Sequence, residues 1–500
     1  MPRLRTILHG SLFALVIAAI ASAQSDTMVI KGGTVHPKPS APAVLADVLI
    51  EKGVIKSIAP GLVVPEGATV VDAAGKHVFP SMIDAFNTGL FEASSAAPGA
   101  LGGADRVVDV YDAFAADRRR RLLAAGVGVV GLGSAMGRAP AAAIVSVGAS
   151  GDKPSVILED AVMPMVPASM TPAGAPGGAP GGPANRATAA GRTGISKLID
   201  DALDGAKKYR ESKEKYEKDL AEWKKKVEEW EKKKGSAESK PAAKDGDAAS
   251  GTRRTPSGPP EGFRDWPREK QQEWIRENMR GGGGRRPAGG GETPAASGSS
   301  GGDKRPDPPE KPKREPAKEA LLRVLSGDAP LWVEAHWVTE IEAVLDTAKE
   351  KKIRVVILGA TEAPRIVDRL KAEKAMVALT DPTDASPDDL DVVLHREDLG
   401  AMLTKAGVPV VVTTAGGTRN GIDGLPFLVA LHVGRGLSED AAWAAVTVNA
   451  ARALGLSSKL GSVEVGREAQ LLVLTGPPLD PASKVARVVA GTVSVDMEAK

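Results

Sequence analysis

The sequence predicts an α/β protein in which a helix-covered, mainly parallel sheet system is joined to an antiparallel sheet domain drawn from both chain ends. Three observations support this. Apolar runs recur through the centre with helix-period segments between them, both ends alternate apolar and polar residues around Gly turns, and a long tract of biased composition interrupts the centre. At 500 residues the chain exceeds one ordinary core, so a large barrel or more than one domain is required. The 65 Lys and Arg nearly balance the 63 Asp and Glu, for a formal charge of +2. Charge therefore gives no reason to expect a nucleic-acid partner.

The first residues, MPRLRTILHGSLFALVIAAIASAQS, place Arg3 and Arg5 before an apolar run from Ser11 to Ile20 and the small triplet Ala21-Ser22-Ala23. Basic, apolar and small residues in that order read as an export signal over 1–23, cleaved before Gln24. The run falls well short of the roughly 20 residues that span a bilayer. The expected address is periplasmic or extracellular, with no membrane span after cleavage. Cysteine is absent, so the core must hold the fold without disulfides, and thiolate ligation or catalysis is excluded.

From Met28 to Val78 the segments MVIKGGTV, ADVLIEKGVIKSIAP and ATVVDAAGKHVF read as short strands with turns between them. GREAQLLVLTG and VARVVAGTVSV repeat that character near the C-terminus, which predicts a composite β-sandwich from 25–79 plus 460–500. Between them, VGVVGLG (127–133), LWVEA (331–335), RVVILG (354–359), MVALT (376–380) and VPVVVT (408–413) have the continuous apolar character of buried parallel strands. Helices are expected at Val338 to Glu350, Ala363 to Glu373, Arg396 to Ala406 and Ser438 to Leu454, the last with Ser438 as N-cap. The layered domain is expected at 80–166 plus 315–459. Periodicity alone leaves a barrel and a doubly wound sheet both open.

The remaining stretch, 167–314, is rich in Gly, Pro, Ala and charge and reads as a low-complexity insertion. Within it a charged helix is expected at 196–234, where Tyr216, Leu220, Trp223, Val227 and Trp230 form an apolar stripe beside Glu–Lys pairs four residues apart. That stripe would pack on the layered domain, with oligomerisation through the helix as the alternative. The MRGGGGRRPAGGG tract reads as a disordered linker rather than an RNA-binding arm.

GKHVFPSMIDAFNTGL at 75–90 resembles the signature of the amidohydrolase superfamily, in which the first barrel strand carries Ile-Asp-Ala-His-x-His. The opening strands, GVPVVVTTAGG at 407–417, AAWAAVTVNAARALGL at 441–456 and the closing GSVEVGREAQLLVLTGPPLD resemble it too. The stretch at 331–370 is similar to the imidazolonepropionase-related branch. The resemblance implies a TIM-like (β/α)8 barrel with the composite sheet domain. It also implies one or two divalent ions held by two His on strand one and further His on middle strands, with an Asp ending strand eight. Such an ion activates water and polarises a carbonyl.

Residue by residue, the resemblance places Phe86 and Thr88 where strand one should supply His, Gly359 where a middle strand should, and Thr414 or its neighbours where strand eight should supply Asp. His336 is the one retained ligand-like residue, and Glu334, Asp84 and Asn87 join it as binding candidates. No two of His36, His77, His336, His395 and His432 are spaced as HxH or HxxxH. The sequence therefore predicts no metal and no other cofactor. It points to an exported, non-catalytic relative that binds a small molecule or an envelope protein. One alternative is an active hydrolase of C–N bonds in cyclic or simple amides, using zinc at His336; the other is an envelope interaction module working through the helical insertion.

Overall fold

The computed structural model describes residues 26–87, 116–133, 141–148, 155–162, 192–237, 305–382, 396–415 and 424–498. Residues 1–23, read as an export signal, Thr88, His395 and most of the low-complexity tract lie outside them. The chain divides into two units, Met1–Lys213 with Pro312–Lys500, and Glu214–Lys311.

In the larger unit, both chain ends build one sheet from β1 (Thr27–Val35), β2 (Val44–Glu51), β3 (Val54–Ala59), β4 (Thr69–Asp72) and β5 (His77–Pro80), with β14 (Gln470–Leu474), β15 (Val485–Ala490) and β16 (Val493–Asp496). The order is β16-β15-β14-β5-β1-β2-β3, with β4 also on β1. Met28, Ile30, Val48, Ile50, Ile55, Val71, Leu471 and Val473 fill its own core. The strands thus form one hydrogen-bonded sheet of eight. A bulge between Ile30 and Gly33 bends β1, and a bridge from Val54 to Glu468 curls the sheet back on itself.

The remaining strands form two sheets of four. β6 (Met82–Asn87), β7 (Val127–Leu132), β8 (Ala141–Ser146) and β9 (Ser155–Val162) lie in that order, as do β10 (Leu331–Ala335), β11 (Val355–Gly359), β12 (Met376–Leu379) and β13 (Val410–Val412). The second set is parallel throughout, whereas β7–β8 and β8–β9 are antiparallel. Among the described residues the eight strands do not close a hydrogen-bonded barrel. Chain length explains the departure from the expected (β/α)8 pattern. Only residues 133–140 join β7 to β8, and 147–154 join β8 to β9. A parallel crossover needs about a dozen residues or more. The two four-stranded sheets meet where Ala415 N donates to the Phe86 carbonyl (2.9 Å), placing the C-terminal ends of β6 and β13 together. One core cluster runs through both, with Ile83, Val130, Trp332, Ile357 and Val411 buried in it.

The expected helix at Ser438 to Leu454 is two helices, Glu439–Ala445 and Val448–Ala453. Ser438 Oγ caps the first by accepting from Ala441 N (3.3 Å). At the break Thr447 Oγ1 donates to the Trp443 carbonyl (2.6 Å), and the Val446 carbonyl accepts from Ile83 N (2.7 Å). The interruption frees a helix carbonyl to anchor β6. Ala363 to Glu373 is likewise split, into a 3-10 turn at Ala363–Ile366 and a helix at Val367–Ala372.

The long helix runs from Arg192 to Ala237. Its first turns put Ile195, Ile199, Leu203 and Ala206 into the main core cluster, and Ser196 Oγ lies 3.1 Å from Thr347 Oγ1. These residues fall inside the expected 167–314 insertion, yet they pack as core. Aliphatic side chains spaced by three and four in IxxxIxxxLxxA carry that role. Within the smaller unit, Trp223 Nε1 donates to the Pro306 carbonyl (2.9 Å) and Val227 is buried. No helix among the described residues is long and apolar enough to cross a membrane.

Candidate functional site

Open α/β layers bind ligands beyond the carboxyl ends of their strands, and those ends hold two unlike arrangements here. The first lies where β6 meets β13. Asp84 is fully buried. Its Oδ1 lies 2.6 Å from Thr413 Oγ1 and accepts from Thr414 N (3.1 Å), and its Oδ2 accepts from Thr414 Oγ1 (2.6 Å) and Asn87 Nδ2 (2.8 Å). Asn87 Nδ2 also donates to Thr414 Oγ1 (3.0 Å). Burial pushes the Asp84 carboxyl above its ordinary range, against the pull of its hydrogen bonds with Thr413, Thr414 and Asn87.

The second arrangement lies where β10 and β11 end. His336 Nδ1 is 2.8 Å from Thr361 Oγ1, and its Nε2 is 3.5 Å from Glu334 Oε1. Its side chain is 29% exposed, enough for a solute to reach it. Glu340, a nearby carboxylate, is buried and accepts from the backbone N–H of His336 (3.0 Å) and Trp337 (3.2 Å), so it caps the helix Val338–Lys351. The imidazole lies over Gly359, which has φ +91°; a Cβ there would sit 2.3 Å from His336 Cε1. His336 thus occupies the space into which a side chain at 359 would point.

The structure therefore gathers Asp84, Asn87 and Thr414 into one cluster and sets His336 beside Glu334 and Gly359. Phe86 is buried in the core cluster, and Thr88 lies outside the described residues. Thr413 and Thr361, which the sequence reading did not single out as site residues, are the partners that fix Asp84 and His336. The Thr-Thr pair after an apolar strand was the available signal for the first.

The described residues at these positions do not fit a divalent ion. Phe86 offers a phenyl ring, Gly359 offers nothing and is covered by His336, and both Thr413 and Thr414 hydroxyls are engaged by Asp84. Among the described residues no three or more His, Asp or Glu side chains gather in a metal-holding group.

Two other histidine sites have local explanations. His432 Nε2 lies 2.9 Å from the Thr380 carbonyl, and burial lowers its pKa, which keeps it neutral. His36 Nε2 and His77 Nδ1 lie 3.0 Å apart, and burial followed by the neighbouring His77 lowers the His36 pKa. His36 stacks on Phe79 and, with Asp440, Trp443 and Leu479, lines a cavity of about 500 Å³.

The sheet from both chain ends is mixed, with β1 parallel to β4 and β5 and its other pairs antiparallel, and it stands beside strands whose carboxyl ends hold the two arrangements. Residues 331–495 match the amidohydrolase family. Over 94% of this chain and 99% of the other, the fold is similar to a solved amidohydrolase from Thermotoga maritima, at 20% identity and a TM-score of 0.59. The sequence is also 46% identical over 57 residues to a dihydroorotase from Geobacter sulfurreducens, and 41% identical over 71 residues to protein unc-33 from Caenorhabditis elegans. Those matches cover 11% and 13% of this chain, and span only 13% and 8% of the two relatives.

Proposed function

We propose that this is an exported, non-hydrolytic member of the amidohydrolase superfamily that binds a small molecule or an envelope protein at its strand ends. One observation carries the reading. Asp84, Thr413, Thr414 and Asn87 spend their hydrogen-bonding capacity on one another, at the strand ends where hydrolytic relatives would hold an ion. Without an ion, neither a water of lowered pKa nor a Lewis acid is available to attack an amide. His336 remains reachable and suits ligand recognition. The imidazolonepropionase-like character of 331–370 belongs to this proposal.

A second reading is favoured by His336 itself, whose imidazole stands between the Thr361 hydroxyl and the Glu334 carboxylate. That is the shape of a general base, and an active hydrolase of cyclic or simple amides, with zinc at a rearranged site, would use it. Assaying the purified mature protein on cyclic imides, dihydroorotate and simple amides, with and without added zinc, separates the two. No turnover above a His336→Ala control is expected. Turnover that His336→Ala abolishes would replace the first reading with the second.

A further inference from the structure

The cluster where β6 meets β13 can be tested by counting protons. Three oxygen–oxygen contacts in it lie at O–H···O distance: Thr413 Oγ1 to Asp84 Oδ1 (2.6 Å), Thr413 Oγ1 to the Phe86 carbonyl (2.7 Å), and Thr414 Oγ1 to Asp84 Oδ2 (2.6 Å). Each needs a hydrogen between the two oxygens, because bare lone pairs repel at that separation. The two threonine hydroxyls supply two. The surrounding N–H groups do not supply a third. Phe86 N donates to Thr413 Oγ1, Thr414 N to Asp84 Oδ1, Asn87 Nδ2 to Asp84 Oδ2 and Thr414 Oγ1, and Ala415 N to the Phe86 carbonyl. With an ionised Asp84 the cluster is one proton short.

We infer that Asp84 is a neutral carboxylic acid at neutral pH, with Oδ1–H donating to Thr413 Oγ1. Thr413 then donates to the Phe86 carbonyl and accepts from Asp84 and from Phe86 N–H, which is the full capacity of a hydroxyl. Thr414 donates to Oδ2. Every short contact now has its hydrogen. The charges nearby agree. Neither β7 nor β13 carries an ionisable side chain, and all the groups bonded to Asp84 are uncharged. The helix Val448–Ala453, packed on β6, carries Arg452, whose pKa is lowered by burial and by Arg354. An ionised Asp84 would be buried with no cation bonded to it, the arrangement that folded proteins avoid by keeping the proton.

The proton then joins the first strand of the layered domain to the last, and any cation entering the cluster would have to displace it. This extends the proposed reading to the ionisation of the same site, but holds whether or not amides are turned over. Infrared spectroscopy of the full chain, carbon-13 labelled at aspartate side-chain carboxyls, tests it. At neutral pH the folded protein should show a protonated-carboxyl C=O band that shifts in heavy water and is lost in Asp84→Asn. If that variant does not fold, unfolding the wild type in denaturant at the same pH should abolish the band. No protonated band in the folded wild type, or a band that persists in folded Asp84→Asn, would overturn the inference. An ionised Asp84 in a protein without turnover rejects this inference alone; a protonated Asp84 in a protein with turnover rejects only the non-hydrolytic reading.

Discussion

The strand ends at β6–β13 and at β10–β11 lie on the same layered domain but are built differently. At the first, Asp84 is sealed from solvent and every polar atom around it is engaged by another. At the second, His336 is partly exposed, with Nδ1 2.8 Å from Thr361 Oγ1 and Nε2 3.5 Å from Glu334 Oε1. A buried, saturated network supports structure because breaking it strands several groups at once. A partly exposed imidazole can be reached by a solute, which suits recognition. Substitutions at the two ends should therefore differ in kind as well as size.

The largest effect is expected from Asp84→Ala, which leaves Thr413, Thr414 and Asn87 without their shared partner. At about 1–3 kcal/mol per stranded buried group, the loss should be roughly 3 kcal/mol or more, read from the denaturant midpoint. A loss no greater than that of His336→Ala would erase the contrast. Gly359→His comes next. Its φ of +91° and the 2.3 Å approach to His336 Cε1 should together cost about 2 kcal/mol. Part of that cost should return when His336→Ala is added, so a double-mutant cycle measures the contact.

A smaller effect should appear as a pH dependence. The Asp84 pKa is raised in the folded chain. Its contribution to stability is therefore fully present below the ordinary carboxylate pKa of about 4, and is lost as pH rises through the folded value. Asp84→Asn should remove that slope, so the stability of wild type relative to the variant should fall with rising pH. A difference that rises or stays flat would contradict the assignment. The smallest effect is expected for His336→Ala, within about 1 kcal/mol because the ring is partly solvated.

Much of this arrangement was legible in the sequence. Alternation and Gly turns placed the strands at both chain ends, and the apolar runs at 127–133, 331–335, 354–359, 376–380 and 408–413 each became a strand. β8 and β9 were missed, because AAAIVS is weakly apolar and SVILEDAV carries a Glu-Asp pair. The core-packed first turns of the Arg192–Ala237 helix were hidden because their aliphatic residues directly follow a tract of low-complexity composition and precede a run of charge. For the site, Asp84, Asn87, Thr414, His336 and Gly359 were visible as positions in a resemblance. That His336 fills the space above Gly359, and that Thr413 completes the Asp84 network, depends on rotamers and on chain approach across more than 300 residues. The Thr-Thr pair after β13 marks Thr413 as a candidate, but no local pattern encodes its partner or the fit of His336 over Gly359.

The account rests on hydrogen bonds among neutral groups standing where an ion would be held, and metal stoichiometry tests this most directly. Protein purified without chelator and dialysed against zinc, then against metal-free buffer, should retain well under one equivalent by elemental analysis. The same result is expected for His336→Ala. One tightly held equivalent in the wild type, lost in His336→Ala, would contradict the account.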